Sequence, residues 1–176
     1  MKIQKGKSRI AIVGDTITLK FPNPKITRTI KGLYYAAKKG NLQKYLTQNE
    51  KHFRFSSEML RGWFENLREW RLSQEFTDIV VPTRFSIFGL LNIQDTAKDV
   101  EMEYAEIGPA LRGKIPDKVM LNNGQHTITG SDNFGWHDGK LKIRDYGELG
   151  LDFLLENYRD ELREALAETM AKIQAR

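Results

Sequence analysis

"SDNFGWHDGKLKIRDYGELG", Ser131–Gly150, is the stretch on which the reading of this chain turns. Phe134 and Trp136 alternate as a short strand. Asp138-Gly139 is a favoured pair for a two-residue hairpin turn, and Leu141 and Ile143 alternate on the return. A carboxamide, Asn133, precedes this hairpin, and a carboxylate, Asp145, follows it twelve residues later. Two four-residue strands and a turn account for that separation, so the hairpin returns the second side chain beside the first. Both are hard oxygen donors of the kind Mg²⁺ prefers. Taken singly, each is equally a turn cap.

Working outward, "SRIAIVGDTITLKFP" reads as a second hairpin. Ile10 and Ile12 alternate before Gly14-Asp15, and Ile17, Leu19 and Phe21 alternate after it. Pro22 and Pro24 stop the second strand, because proline cannot donate to a ladder. Lys20 therefore lies near the end of a strand.

Residues 26–53 carry helical spacing in two pieces, with Gly40-Asn41 as the break. "SSEMLRGWFENLREWRLSQEF" is a stronger helix, capped by Ser56 or Ser57, with Met59, Trp63, Leu67 and Trp70 as its apolar stripe. Glu69 lies beside that stripe, between Arg68 and Trp70. "DIVVPTRFSIFGLLNIQDTA" reads as two buried strands, Ile79–Val81 and Phe85–Ile93. A short helix around Asp99–Glu106 and a loop at Gly108-Pro109 follow. One last helix runs from Glu148 to Ile173, with Leu151, Leu154, Leu155, Leu162 and Leu166 on one face.

Composition narrows the class. The 176 residues suit one domain or two small lobes. There is no cysteine, which excludes disulfides and thiolate metal sites. No apolar run approaches the ~20 residues of a membrane-spanning helix, and the basic start lacks a signal-peptide core. A cytoplasmic protein is the default expectation. Charge is uneven: residues 1–75 hold 16 Lys/Arg against 6 Asp/Glu, and residues 76–176 hold 12 against 17. A basic half attracts nucleic acid, nucleotide phosphates or an acidic partner, or is simply a solvated helix surface. Lys38, Lys39, Lys44, Lys51, Arg54 and Arg61 would line a nucleic-acid-binding face, although no helix-turn-helix, zinc or RNA-recognition signature accompanies them.

Strands, helices, more strands, a polar hairpin segment and a helix, in that order, make an α+β chain with segregated elements. Walker and Rossmann phosphate loops are absent. The order of the polar residues resembles the protein-kinase-like superfamily. "ITLKF" looks like the strand with the phosphate-binding lysine, here Lys20. "NLREWRLSQEFTDIVVPTRF" looks like the helix with its glutamate partner, Glu69, and the strand behind it. "LLNIQDTA" looks like the strand into the hinge. "HTITGSDNFGWHDGKLKIRDYG" resembles the catalytic loop, the following hairpin and the metal-binding Asp-Phe-Gly, with Tyr146 in place of the Phe.

That resemblance implies a reduced protein-kinase-like fold over residues 1–176, with residues 1–95 as the N-lobe-like part and 96–176 as a reduced C-lobe-like part. It has an N-terminal antiparallel sheet with helices, then a hairpin and a terminal helix. It implies ATP and Mg²⁺ as cofactors, with Lys20 and Glu69 on the nucleotide side and Asn133 and Asp145 on the metal. The family carries a catalytic aspartate two residues after the histidine that matches His126; this chain has Ile128, which does no proton work. Asp132 is the nearest substitute. The glycine-rich loop is thin, with only Gly6 and Gly14 flanking "KSRIAIV", and no activation segment or peptide platform follows Gly150. The expectation is a pseudokinase that binds a protein partner. An active divergent phosphotransferase acting on some phosphate acceptor stays open beside it, as does a nucleic-acid-binding protein. The economy of such a chain suits a phage or mobile element.

Overall fold

The computed structural model describes residues 1–6, 8–41, 43, 60–101, 104–122, 130–147 and 150–175. The fold is α+β. Strands β1 (Lys2–Lys5), β2 (Arg9–Val13), β3 (Ile17–Pro22), β4 (Thr83–Ile87) and β5 (Leu91–Asp95) form an antiparallel sheet in the order β1-β2-β3-β5-β4. Helices α1 (Ile26–Lys38) and α2 (Arg61–Glu75) intervene between β3 and β4. Then come α3 (Tyr104–Arg112), α4 (Asp117–Asn122), a single 3₁₀ turn (Ser131–Asn133), the hairpin β6 (Phe134–His137) and β7 (Lys140–Ile143), and helices α5 (Leu151–Asn157) and α6 (Arg159–Gln174).

The period-two alternation of the strands separates the two faces of the sheet. Ile3, Ile12, Leu19, Ile93 and Phe85 are paired in register across all five strands and make an apolar row on the outer face. Gln4, Ala11, Lys20 and Asn92 make the neighbouring row on the other face, and α2 packs under that side.

The buried face of α2 is not its aromatic stripe. Gly62, Glu65, Asn66, Glu69, Leu72 and Ser73 point inward, while Trp63, Leu67 and Trp70 are only half-buried. The helix is turned by its polar anchors. Asn66 donates its amide to the carbonyls of Lys20 (3.1 Å) and Gly89 (2.9 Å), and Asn92 donates to the Asn66 carbonyl (2.8 Å). Gly62 allows the approach, since a Cβ there would stand 2.0 Å from the Ser8 carbonyl oxygen. Only the last turn, with Leu72 and then Phe76, reaches the apolar core. There it meets α3, both strands of the β6–β7 hairpin and the inner faces of α5 and α6.

Several expectations are corrected. Ile79–Val81 is not a strand: Val80 makes one parallel bridge to Ile143, and the Val81 N–H bonds the Ile143 carbonyl at 2.9 Å. Phe85–Ile93 is a hairpin rather than one strand, and β4 is a sheet edge rather than a buried centre. Its turn is Phe88-Gly89, with φ of 47° and 73°; an apolar first residue hid the turn signal. Strand β1 had no alternation to announce it. Helix α3 continues through Gly108 and Pro109 instead of ending before them. The last helix breaks at Tyr158, where the backbone (φ −133°, ψ 36°) leaves the helical region, though the predicted leucine face stays buried on both sides of the break. The β6–β7 hairpin matches its reading: Phe134 pairs Ile143, His137 pairs Lys140, and Asp138-Gly139 carries the turn. The second piece of the 26–53 helix and the Ser56/Ser57 cap fall on residues outside those described.

Candidate functional site

The inner face of the sheet, α2 and the segment after β7 enclose a cleft of about 880 Å³. Lys20 enters it from β3 because alternation places it opposite the outward Leu19 and Phe21. Glu69 rises from α2 to meet it. The Lys20 Nζ lies 2.8 Å from the Glu69 Oε1 and donates a second bond to the Arg144 carbonyl, also at 2.8 Å. Glu69 is fully buried. Its Oε1 also accepts from the Tyr146 N–H at 3.4 Å.

Asp145 follows β7 and lines the same cleft, as do Asp132 and Asn133 from the 3₁₀ turn before β6. The Asn133 carbonyl accepts from the Arg144 N–H at 2.7 Å, and the Asp132 carbonyl accepts from the Arg144 Nε at 2.7 Å. These bonds clamp the segments on either side of the hairpin together. The hairpin thus gathers Asp132, Asn133 and Asp145 along the cleft that Lys20 also lines, with Glu69 buried behind Lys20. His126 and Ile128 lie outside the described residues, as do Lys44, Lys51 and Arg54 of the basic half. Arg61 is engaged by Glu65 at 2.6 Å.

Sequence reading missed a principal member of the site. Arg9, at the start of β2, is buried with its guanidinium in the cleft. Its Nη1 lies 2.8 Å from the Glu69 Oε1, its Nε 3.3 Å from the Glu65 Oε2, and its Nη2 bonds the Asp145 Oδ1. The signal was present: outward Ile10 and Ile12 force Arg9 and Ala11 inward, onto the face of Lys20. Ser8 adds a hydroxyl bond to Glu65. Glu65 and Glu69 are one helical turn apart on α2 and so face the same cations.

The electrostatics follow from this crowding. Burial alone would lower the Arg9 pKa, but Asp145, Glu69 and Glu65 outweigh it and raise it. Burial would raise the Asp145 pKa, but Arg9 and then Lys20 overcome it and hold the carboxyl below its ordinary value. Tyr146 is pushed up by burial and by Glu69, so its hydroxyl stays a donor; it bonds the Val81 carbonyl at 2.7 Å and contacts the Thr83 hydroxyl at 3.0 Å. Tyr146 is thus a core residue with a polar anchor.

His137, beside the Asp138-Gly139 turn, is largely enclosed, with Nε2 3.1 Å from the Asp95 Oδ2. Arg84 bonds the same carboxylate. This group ties the β6–β7 hairpin to the end of β5, where Asp95 also lines the cleft.

No protein-family model, curated protein or solved structure matches the chain. What the site can do therefore rests on its own chemistry. A strand lysine fixed by a buried glutamate, with a carboxylate and a carboxamide across a polar cleft, suits the binding of phosphate groups. Asn133 and Asp145 are oxygen donors of the right kind for Mg²⁺. The Arg9 guanidinium, however, bonds the Asp145 Oδ1, so a divalent ion at that carboxylate would be left the Oδ2 beside a buried positive charge, which makes the arrangement a poor fit for a metal.

Proposed function

We propose that the chain is a kinase-like domain whose cleft takes nucleotide phosphates and which works by binding a protein rather than by transferring phosphate. The observation that carries this reading is the Lys20–Glu69 ion pair at 2.8 Å, buried on the floor of the cleft that Asn133 and Asp145 line. Four residues from Lys20 to Asp145 are gathered at one cleft, which supports the reading. Absence of the catalytic aspartate, with Ile128 in its place, argues against phosphoryl transfer. The apolar row Ile3-Ile12-Leu19-Ile93-Phe85 supports protein binding, since it runs across an open sheet face on which Ile3 and Phe85 are well exposed.

Thermal unfolding with and without ATP tests the nucleotide half. Occupancy at a hundredfold excess over the dissociation constant adds about 2.7 kcal/mol, or roughly 5–10 °C for a domain of this size. Lys20→Ala should abolish the shift. An unmoved wild-type midpoint at millimolar ATP removes nucleotide binding from the proposal.

A second reading has one observation in its favour: Asp132 lines the same cleft. If the domain is an active phosphotransferase, Asp132 is its proton acceptor. Release of labelled phosphate from ATP that disappears in Asp132→Asn would select this reading over the first.

A further inference from the structure

The Arg9 guanidinium sits among three carboxylates, those of Glu65, Glu69 and Asp145. Three cations answer them: Arg9, Lys20 and Arg61. The carboxylates are thus balanced without a metal. Asp145, the most exposed of the three with 52% of its side-chain surface accessible, is bonded to Arg9. A divalent ion on that carboxylate would be left the Oδ2 alone, beside a fixed guanidinium charge that repels it and is held in place: the Arg9 side chain is only 10% exposed. Its Nε and Nη1 are held by Glu65, Glu69 and the Asn66 Oδ1 (3.5 Å). Each Nη carries two N–H groups, and Asp145 takes one of those on Nη2, which leaves a donor for an incoming phosphate oxygen. Lys2 and Lys5 line the same cleft, as does Arg144, which is paired with Asp99 at 2.6 Å; Asp95 and Asp132 line it too.

We propose that Arg9 is the resident counter-cation of this cleft, standing in for a divalent metal, so that a nucleoside triphosphate binds through Arg9 and Lys20 without Mg²⁺. The inference rests on reading the cleft as a nucleotide site. A guanidinium is suited to the role. It keeps its charge at every working pH, it is weakly hydrated, and its planar fork matches a phosphate edge. Metal-independent binding also accords with the missing catalytic carboxylate. An ion that orients a phosphate for transfer has no task where no transfer occurs.

The test is titration of the full chain with a fluorescent ATP analogue, once in EDTA and once in millimolar Mg²⁺. The expected result is two dissociation constants within about threefold of each other. Arg9→Ala should weaken binding in EDTA by about tenfold or more, and Mg²⁺ should then recover part of it, because Asp145 is freed. Arg9→Lys keeps the charge and should fall between the two proteins. If Arg9→Ala fails to fold by circular dichroism, the wild-type comparison and Arg9→Lys still decide. Tightening of wild-type binding by about tenfold on adding Mg²⁺ would overturn the role of Arg9 and leave the nucleotide reading intact. Absence of binding in both buffers would overturn both.

Discussion

Replacing Glu69 by Gln preserves shape and removes one negative charge from the floor of the cleft. The side chain is fully buried, and its Oε1 receives the Lys20 ammonium and the Arg9 guanidinium, each at 2.8 Å. Breaking a buried pair by neutralising one partner costs about 3–5 kcal/mol, because the remaining charge stays desolvated. Here the loss is cushioned. Arg9 retains Glu65 and Asp145, and Lys20 retains the Arg144 carbonyl. The lower end of the range, about 3 kcal/mol, is therefore expected for Glu69→Gln. For a chain of this length that is a fall in midpoint of about 6–12 °C. Urea unfolding followed by tryptophan emission gives the number directly, with the slope checked for constancy so that the change is one of stability. The double variant Lys20→Met/Glu69→Gln should lose less than the sum of the two single changes, since one excess charge leaves with its partner. A loss under about 1 kcal/mol for Glu69→Gln, the range of a solvent-exposed pair, would refute a desolvated ion cluster, as would strict additivity in the double variant.

Gly62→Ala should destabilise despite the better helix propensity of alanine, because its Cβ would stand 2.0 Å from the Ser8 carbonyl oxygen. The cost of such overpacking is about 1–3 kcal/mol, read by the same urea unfolding, and a gain in stability would contradict the close approach of α2 to the β1–β2 connection. Acid unfolding tests Asp145. Its folded pKa is depressed, so its contribution is fully present above the unfolded carboxyl value of about 3.9 and is lost as pH falls through the lower folded value. The stability gap between the wild type and Asp145→Asn should be widest near neutral pH and close below about pH 4. A gap independent of pH would mean that Asp145 is not ionically engaged.

Much of this site could be read from residue order, and the reasons differ along the chain. The β6–β7 hairpin was legible because its turn residues and its alternation agree, and agreement between local signals is what fixes a register. Lys20 was legible for the same reason, lying two residues before a proline that ends an alternating run. The orientation of α2 was not. Its aromatic stripe predicts one inward face, and the buried one is Glu65-Asn66-Glu69-Ser73, because cations on β2 and β3 supply partners that no window along the helix contains. Arg9 escaped notice in the same way. A strand-end arginine reads as a solvated charge until three acids from residues 65, 69 and 145 are brought to it. The Phe88-Gly89 turn was hidden inside an apolar run. Alternation gives the face of Arg9, but the partners it meets there come from distant segments that no local pattern contains.

The backbone of Ile143 bonds to both Ile79 and Val81, and that of Lys98 exchanges two bonds with Trp136, all at 2.9 Å. These two rivets fasten the C-terminal hairpin to the segments on either side of the β4–β5 hairpin. Neither part can swing while both hold, so parting them requires breaking backbone hydrogen bonds rather than bending a loop. The amides of Val81, Lys98, Trp136 and Ile143 should then exchange with solvent only as fast as the whole molecule opens. A cavity fixed in this way behaves as a mould. It admits a ligand that already has its shape, and it does not close around one that lacks it.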